Sequence, residues 1–269
     1  MANDTALSAL RSGVARPVVR KIGLGDVTDA LALGWADFRA SPTHLVILGL
    51  VYPIMGIVLG RIASGNNAMP LLYPLIGGFA LLGPIAAVGL YEMSKLRERG
   101  YPVSWQNAFD VFRSPRIASI LILGGMLGVL FVLWLVTAKI IYDQTLGGIG
   151  GDSISELVQA TFATHPGRAL LVYGTGAGFL FAVIALTLGA VSIPLLVDRD
   201  VGSTPAEAAS VAVQTSMGAV MTNPLVMAVW GLIVAIGLAV GAATLLVGLA
   251  VIMPVLGHAT WHLYRRLIA

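Results

Sequence analysis

Thirty-eight consecutive residues of this chain, 224–261, carry no charged side chain. A membrane-spanning helix needs about 20 predominantly apolar residues, so this run is too long for one ordinary crossing and just long enough for two short ones. We interpret it as a helical hairpin that turns near residues 239–243. Because that turn lacks polar residues, we expect its tip to stop at the membrane interface or to lie under neighbouring helices. A single crossing here, which would give five in all, is the alternative interpretation.

Four other segments are also long and apolar enough to cross a membrane. With the hairpin they give six predicted spans, at residues 44–61, 70–92, 117–140, 169–194, 224–239 and 243–262. Only 11% of the residues are charged, against about 25% in an ordinary soluble domain. We therefore predict an all-α polytopic membrane protein, in which residues 26–269 form one membrane domain and residues 1–25 a poorly ordered N-terminal segment. No removable signal peptide is expected, since no small-residue cleavage pattern follows a short apolar core.

The distribution of lysine and arginine predicts the orientation of these spans. In the six-span interpretation, thirteen of the sixteen basic residues lie on the side that holds both termini, and the other side holds Arg61, Lys139 and Arg168. Basic residues accumulate in the cytoplasmic loops of membrane proteins. Both termini are therefore predicted to be cytoplasmic. Five spans would place Arg265 and Arg266 on the opposite side and weaken the asymmetry.

A short phrase recurs before several of the spans. Residues 35–42 (WADFRASP) precede the first span and residues 109–115 (FDVFRSP) precede the third, with weaker forms at residues 162–166 and 221–224. Each phrase ends in a polar residue and a proline, which suits the first turn of a helix because the missing N–H of proline needs no partner there. Amphipathic stretches precede three of these restarts, and we predict that they form helices lying in the membrane interface. These stretches are near residues 26–39, 104–112 and 205–219.

A second proline occurs in each even-numbered span, at Pro84, Pro194 and Pro254, and is expected to kink its helix. The chain is therefore predicted to consist of three hairpin repeats, each entered by an interfacial helix and closed by a return helix with a proline. The loop between the third and fourth spans contains residues 153–164, which are predicted to form a short amphipathic segment. Pairs of glycines four residues apart on four of the spans favour close packing of helices within the chain rather than a dimer interface.

Two motifs at the ends of even-numbered spans carry a resemblance to a family. Residues 89–100 (GLYEMSKLRERG) with Pro102 and Ser104, and residues 257–265 (GHATWHLYR), resemble an uncharacterised bacterial family of integral membrane proteins of unknown function. Some members of that family carry the designation cytochrome c oxidase subunit I. The resemblance covers residues 24–266 and implies a membrane architecture without an established activity. It leaves open an association with a respiratory oxidase or its assembly machinery, in a bacterial inner membrane. It does not imply the catalytic role, because the catalytic oxidase subunit binds its haems and copper through more histidines than the four of this chain.

His258 and His262 lie four residues apart near the inner end of the sixth span, so their side chains share one helix face. They could bind a metal ion with Glu92, at the inner end of the second span, as the third ligand. We favour the interpretation that they pair with Glu92 or with backbone carbonyls and hold helix ends together, because ionisable groups in membranes usually find partners. A haem would need an opposing imidazole, for which His44 is the candidate. We therefore expect no metal ion and no cofactor.

Glu92 is followed by a basic segment. The simplest interpretation of Glu92 is an ion pair with a basic residue one helical turn further on, and a proton relay is the alternative. The segment also contains aromatic residues, a composition that suits an anionic lipid surface. The residues predicted to contact the membrane surface are Lys95, Arg97, Arg99, Trp105, Arg113 and Arg116.

Several classes of function are disfavoured by what the sequence lacks. Cysteine is absent, which excludes thiolate metal sites and thiol nucleophiles. The basic residues are spread over several loops, so nucleic-acid binding is not implied. No nucleotide-binding or zinc-protease motif and no convincing pair of nucleophile and base occurs. We therefore predict a non-enzymatic accessory or assembly subunit of a membrane complex. The alternatives are a transporter or channel for small solutes or ions, and a metal- or haem-binding protein that uses His258 and His262.

Overall fold

The structure is a computed structural model that describes residues 17–41, 56–57, 60–61, 72–147, 154–244 and 248–269. Within these ranges the secondary structure is helical and no strand occurs, which confirms the predicted all-α class. The α-helices are α1 (Leu24–Ala40), α2 (Leu72–Phe79), α3 (Gly83–Ala86), α4 (Val88–Glu98), α5 (Ile117–Thr145), α6 (Ile154–Ala163), α7 (His165–Gly189), α8 (Ser192–Asp198), α9 (Pro205–Thr222), α10 (Pro224–Ala243) and α11 (Leu249–Leu267). Short 3-10 helices lie at Ala80–Leu82 and Trp105–Arg113.

Among the described residues, three helical segments have the length and composition to cross a membrane: α5, the segment His165–Asp198 that contains α7 and α8, and α10. They correspond to the predicted third, fourth and fifth spans. The second predicted span is divided among α2, a 3-10 turn, α3 and α4. The sixth corresponds to α11, which is less uniformly apolar because its second half carries histidines and arginines. The first predicted span, together with His44, lies almost entirely outside the described residues.

Two of the return helices are interrupted next to a proline. Pro84 lies in the first turn of α3, and α8 restarts at Ser192 with Pro194 in its first turn. A proline inside a helix removes one hydrogen bond and clashes with the preceding turn, which favours a restart at that point. The two interruptions are neighbours, because a Cβ atom placed on Gly189 would lie 2.6 Å from Cγ of Pro84. In α11 the helix continues through Pro254.

The turn of the last hairpin lies slightly further along the chain than the sequence suggested. α10 continues to Ala243 and α11 begins at Leu249, so residues 239–243 belong to α10 and the turn predicted there is wrong. The Thr244 hydroxyl donates to the Gly241 carbonyl at 2.9 Å and accepts from the Gly248 N–H at 2.9 Å. Thr244 therefore supplies the polar group at the helix end that the predicted turn lacked, which explains the shift.

The three stretches predicted as interfacial helices are helical, as α1, the 3-10 helix Trp105–Arg113 and α9. The α9 start is capped by Thr204, whose hydroxyl accepts from the N–H of Glu207 at 3.2 Å. The restart at Thr164 is capped in the same way, with the Gly167 N–H at 3.0 Å from the Thr164 hydroxyl. The other predicted restarts differ. Asn223 is the N-cap residue of α10 but makes no side-chain capping bond, and α5 begins at Ile117, two residues after Pro115. The restart at Pro42 lies outside the described residues. A position in the membrane interface stays a prediction for all three stretches.

α1 packs closely along α11. One face of α1 is buried, and it includes Val27, Ala30, Gly34 and Asp37. A Cβ atom placed on Gly34 would lie 2.6 Å from the backbone nitrogen of Ala259, so the two helix backbones are nearly in contact at this point. Asp37 follows Gly34 by three residues and therefore faces α11 as well.

The two ends of the described chain are joined beside these helices. Val19 and Ile268 form an antiparallel bridge, and the Arg20 N–H donates to the Leu267 carbonyl at 2.7 Å. Asn223, at the junction of α9 and α10, also holds the N-terminal segment. Its Oδ1 accepts from the Ile22 N–H at 2.9 Å and its Nδ2 donates to the Arg20 carbonyl at 2.9 Å.

Replacing Asn223 with alanine is expected to release the N-terminal segment without unfolding the helices. It leaves a backbone N–H and a carbonyl of that segment unpaired, at a cost of about 1–3 kcal/mol each where they stay buried. Trypsin should therefore cleave after Arg20 and Lys21 several-fold faster in the Asn223→Ala variant. Gln214→Ala, which removes an amide that binds only the exposed Ser210 hydroxyl, is the control and should be cleaved at the wild-type rate.

Candidate functional site

Side chains from α1, α4 and α11 meet in a polar group that we name the Asp37 cluster: Asp37, Ser94, Arg97, His258 and His262. The Asp37 Oδ2 atom lies 2.6 Å from Ser94 Oγ and 2.8 Å from His262 Nε2. The other carboxylate oxygen, Oδ1, lies 3.3 Å from a guanidinium nitrogen of Arg97. His258 Nδ1 is 2.5 Å from Ser94 Oγ. Asp37, Ser94 and His258 are all buried.

The hydrogen bonds assign the protons of the cluster. An ionised carboxylate only accepts, so the single hydroxyl proton of Ser94 goes to Asp37. His258 must then donate its Nδ1 proton to Ser94 Oγ, which leaves Nε2 of a neutral His258 unprotonated. That Nε2 atom is buried and has no hydrogen-bond partner among the described residues. His258 is thus bound to the cluster through one nitrogen only.

The charge of Asp37 depends on its partners. Burial alone would raise the pKa of Asp37, but the hydrogen bonds from His262 and Ser94, with the nearby histidines, outweigh it and hold the pKa below its ordinary value of 3.8. Asp37 is therefore ionised at neutral pH, and its negative charge faces Arg97. The cluster joins three helices through one carboxylate.

This lowered pKa predicts how stability depends on acid. A carboxyl whose pKa is lower in the folded than in the unfolded state contributes stability above the unfolded pKa, and this contribution is lost as pH falls through the folded pKa. The thermal midpoint of the wild type should therefore exceed that of Asp37→Asn at pH 5 to 7, and the difference should shrink below about pH 3.8. Thermal unfolding of both proteins in the same mild detergent measures it. A difference that stayed constant down to pH 3 would contradict the assignment of charge to Asp37.

A second polar network lies beside the Asp37 cluster and joins α4, α8 and α11. The Asp198 Oδ2 atom accepts from the Tyr264 hydroxyl at 2.7 Å and from Arg265 Nη1 at 3.2 Å. Arg265 also donates through Nε to Glu98 Oε1 at 3.0 Å, and the other Glu98 oxygen accepts from the Trp261 ring N–H at 3.0 Å. The ends of three helices are thus held together by charged hydrogen bonds.

The structure brings the two predicted histidines together, but with a different carboxylate. His258 and His262 both face the Asp37 cluster, whereas Glu92 forms an ion pair with Lys95 on its own helix. This is the ion pair that the sequence favoured for Glu92. The histidines hold helix ends together, as the sequence also favoured, but their partners are Asp37 and Ser94.

Most of the predicted membrane-surface residues are paired with carboxylates. Arg97 lies next to Asp37, Arg99 lies 3.6 Å from Asp198, and Arg116 pairs with Asp200. Lys95 pairs with Glu92, and Arg113 lies 3.7 Å from Asp110 although 87% of its side chain is exposed. Trp105, the remaining member of the set, is an exposed aromatic residue. The positive charge of this segment is therefore largely balanced within the protein.

The order of groups in the Asp37 cluster is not that of a hydrolase triad. In a triad, the histidine lies between the nucleophile and the carboxylate and accepts the nucleophile's proton. Here the hydroxyl of Ser94 lies between Asp37 and His258, and its proton is directed to Asp37. Within the described ranges, no three histidine, cysteine or acidic side chains are arranged to hold a metal ion. The chemistry that this geometry supports is the joining of helices.

Sequence reasoning did not single out Asp37, Ser94 or Asp198. A signal for Asp37 exists, because it lies at the spacing of the apolar face of α1, seven residues after Ala30 and three after Gly34. A carboxylate on an otherwise apolar helix face needs a buried partner. Ser94 and Asp198 give no comparable signal, since a serine and an aspartate at helix ends are ordinary.

Comparisons with known proteins agree with the membrane assignment. A model of the family described as predicted integral membrane protein (DUF2189) matches residues 72–198, which contain α2 to α8. No curated protein and no solved structure matches the chain. The chain is therefore similar, over this part, to integral membrane proteins of unknown function.

Proposed function

We propose that the chain is a non-enzymatic subunit of the bacterial inner membrane that takes part in the function or assembly of a larger membrane complex. The observation that carries this proposal is the Asp37 cluster. Its polar atoms are used to join α1, α4 and α11, and its serine hydroxyl is 1% exposed. A catalytic group must reach its substrate, whereas a group that fixes helices need not.

The polar contacts support six spans with both termini on one side. Asp37 and Ser94 flank the first two predicted spans and are hydrogen-bonded, which favours an even number of crossings between them. Arg265 and Asp198 flank the last two and are 3.2 Å apart. A single crossing between Asp198 and Arg265 would put these side chains on opposite sides of the membrane. The excess of basic residues on this side then favours the cytoplasm.

Recovery of the intact complex tests the proposal. A tagged chain is purified from its native membranes in a mild detergent, and the size and composition of the eluted species are measured. We expect stoichiometric membrane proteins to co-migrate with it, and haem absorption in the eluate if the partner is a respiratory oxidase. A chain that elutes alone in several mild detergents, with folded-state melting, would refute the accessory role.

A transporter or channel is the second candidate, and the paired helix interruptions favour it. Discontinuous helices near a membrane midplane form solute sites in many transporters. Here the breaks before α3 and α8 lie side by side, as the contact of Gly189 with Pro84 indicates. Flux through reconstituted vesicles that is abolished by Glu92→Gln or His258→Ala would support this candidate. Equal flux in empty vesicles and in vesicles that contain the protein would exclude it.

A further inference from the structure

Three aromatic rings form an exposed row on the 3-10 helix Trp105–Arg113, and we name this row the aromatic ridge: Trp105, Phe109 and Phe112. The rings of Trp105 and Phe109 meet edge to face with centroids 5.9 Å apart, and those of Phe109 and Phe112 stack at 6.3 Å. Each ring is nevertheless exposed, Phe112 to 64%. Aromatic side chains bury 150–250 Å² each when covered, so the ridge is a substantial apolar surface.

The ridge is held in this orientation by the opposite face of its helix. Ala108 and Val111 are buried against the core. A Cβ atom placed on Gly89 of α4 would lie 2.9 Å from both Cβ and O of Ala108, so the two helices are in close contact. The start of the 3-10 helix is fixed by the Ser104 N–H, which donates to Asn107 Oδ1 at 2.8 Å. The rings therefore cannot turn inward without breaking this packing.

The arginines around the ridge each lie next to a carboxylate of the protein. The neighbouring Arg97, Arg99 and Arg116 are paired with carboxylates, and Arg113 itself lies 3.7 Å from Asp110. An electrostatic contact with anionic lipid needs basic side chains that are free to approach the surface. In the described structure the exposed groups of the ridge are aromatic rings.

The ridge is continuous with the lipid-facing side of a predicted span. Three residues separate the 3-10 helix from α5, one of the helices long and apolar enough to cross a membrane. α5 exposes large apolar side chains from its first turns onward, including Leu121 and Val129. Tryptophan and other aromatic residues are favoured at the boundary between lipid headgroups and acyl chains.

We propose that the aromatic ridge inserts into the headgroup and acyl boundary of the bilayer and anchors the start of α5 there, and that this contact does not require anionic lipid. The sequence predicted a basic surface at this place. In the structure the arginines are paired with carboxylates of the protein, whereas the three aromatic rings are exposed. The proposed insertion is independent of the accessory role, since a transporter would need the same anchor. Gly89, which supports the ridge, lies five residues before Ser94, about 7.5 Å along the helix axis. The ridge would therefore also place the Asp37 cluster near headgroup depth.

Spin labels at single cysteines test the proposal, and the absence of native cysteine makes this direct. Phe109→Cys and Phe112→Cys are labelled in the full-length chain and reconstituted into nanodiscs of phosphatidylcholine, with or without phosphatidylglycerol. Val129→Cys, in the middle of α5, is the reference for a label inside the lipid. Val18→Cys, outside every predicted span, is the reference for a label exposed to water. Collision rates with oxygen and with a water-soluble nickel chelate give the depth of each label. A normal elution volume of each variant shows that it is folded.

The ridge labels should collide with oxygen several-fold more often than with the nickel chelate, at a depth between the two references and in both lipid compositions. Free access of nickel to both ridge labels would overturn the insertion. Insertion seen only with phosphatidylglycerol would overturn the independence from charge. Protection from both reagents would indicate that protein covers the ridge, for example a second copy, and would equally overturn the proposal.

Discussion

Replacing Asp37 with alanine is expected to lower the free energy of unfolding by about 3 kcal/mol. The substitution removes the acceptor that Ser94 and His262 share and leaves Arg97 without its carboxylate. Removing one partner of a buried ion pair costs about 3–5 kcal/mol because the other charge stays uncompensated. We take the lower end because the Arg97 side chain is 39% exposed and water screens part of its charge. In a chain of this size, the loss corresponds to a fall in Tm of roughly 6–12 °C.

The same substitution at an exposed aspartate provides the control. Asp143 forms a surface ion pair with Lys139 on α5, and both side chains are about half exposed. Surface pairs of this kind contribute about 0.3–0.5 kcal/mol, so Asp143→Ala should leave Tm nearly unchanged. Thermal unfolding in one detergent, followed by loss of the monodisperse peak, compares the two variants. Equal shifts for Asp37→Ala and Asp143→Ala would show that the Asp37 cluster is not a stabilising centre.

The helical architecture was accessible from the sequence because it depends on local composition. An apolar stretch of more than 20 residues has few stable alternatives to a helix in a bilayer, and α5, α7 and α10 follow this rule closely. The helix starts at Thr164 and Thr204 also depend on neighbouring residues alone. Prolines were less predictable, because Pro84 and Pro194 adjoin a break whereas α11 continues through Pro254. Whether a helix bends or breaks depends on what its neighbours can pack against.

The Asp37 cluster was not accessible in the same way, because its members are far apart in the sequence. Asp37 is 57 residues from Ser94 and 225 residues from His262. The histidine pair was visible as a helical spacing, and depth alone suggested Glu92 as its partner. The partner is instead decided by which helix packs on α11, and that helix is α1. No pattern within α4 or α11 contains this information.

Which basic residues remain unpaired also depends on contacts between distant parts of the chain. The distribution of basic residues depends on topology and could be read from the sequence, but it does not say which of these charges remain free. Asp37 comes from α1, Asp198 and Asp200 come from the end of α8 and the residues just after it, and together they balance arginines of residues 97–116. The sequence could therefore locate the basic segment, whereas the availability of its charges to lipid depends on tertiary contacts.

Gly34→Leu is expected to be as damaging as loss of Asp37, by a different mechanism. A Cβ atom at residue 34 would lie 2.6–2.8 Å from the backbone and side-chain atoms of Ala259, so α1 and α11 must separate. Overpacking typically lowers the free energy of unfolding by about 1–3 kcal/mol. Because a whole leucine is added where two backbones touch, we expect a loss of about 3 kcal/mol for Gly34→Leu. Gly25→Leu, in the first turn of the same helix with nothing within 4 Å of the added Cβ, is the control. It should change the stability by no more than about 0.5 kcal/mol.

Combining Gly34→Leu with Asp37→Ala shows whether the close contact between α1 and α11 positions the Asp37 cluster. Asp37 lies three residues after Gly34, and His262 lies three residues after Ala259, so both follow the point of closest approach by about one turn. If Gly34→Leu separates the helices, it already weakens the bonds that Asp37→Ala removes. The double variant should then lose at least 1 kcal/mol less than the sum of the single losses, since residues that share one contact are not additive. Losses that add within about 0.5 kcal/mol would mean that the Asp37 cluster forms independently of the Gly34 contact.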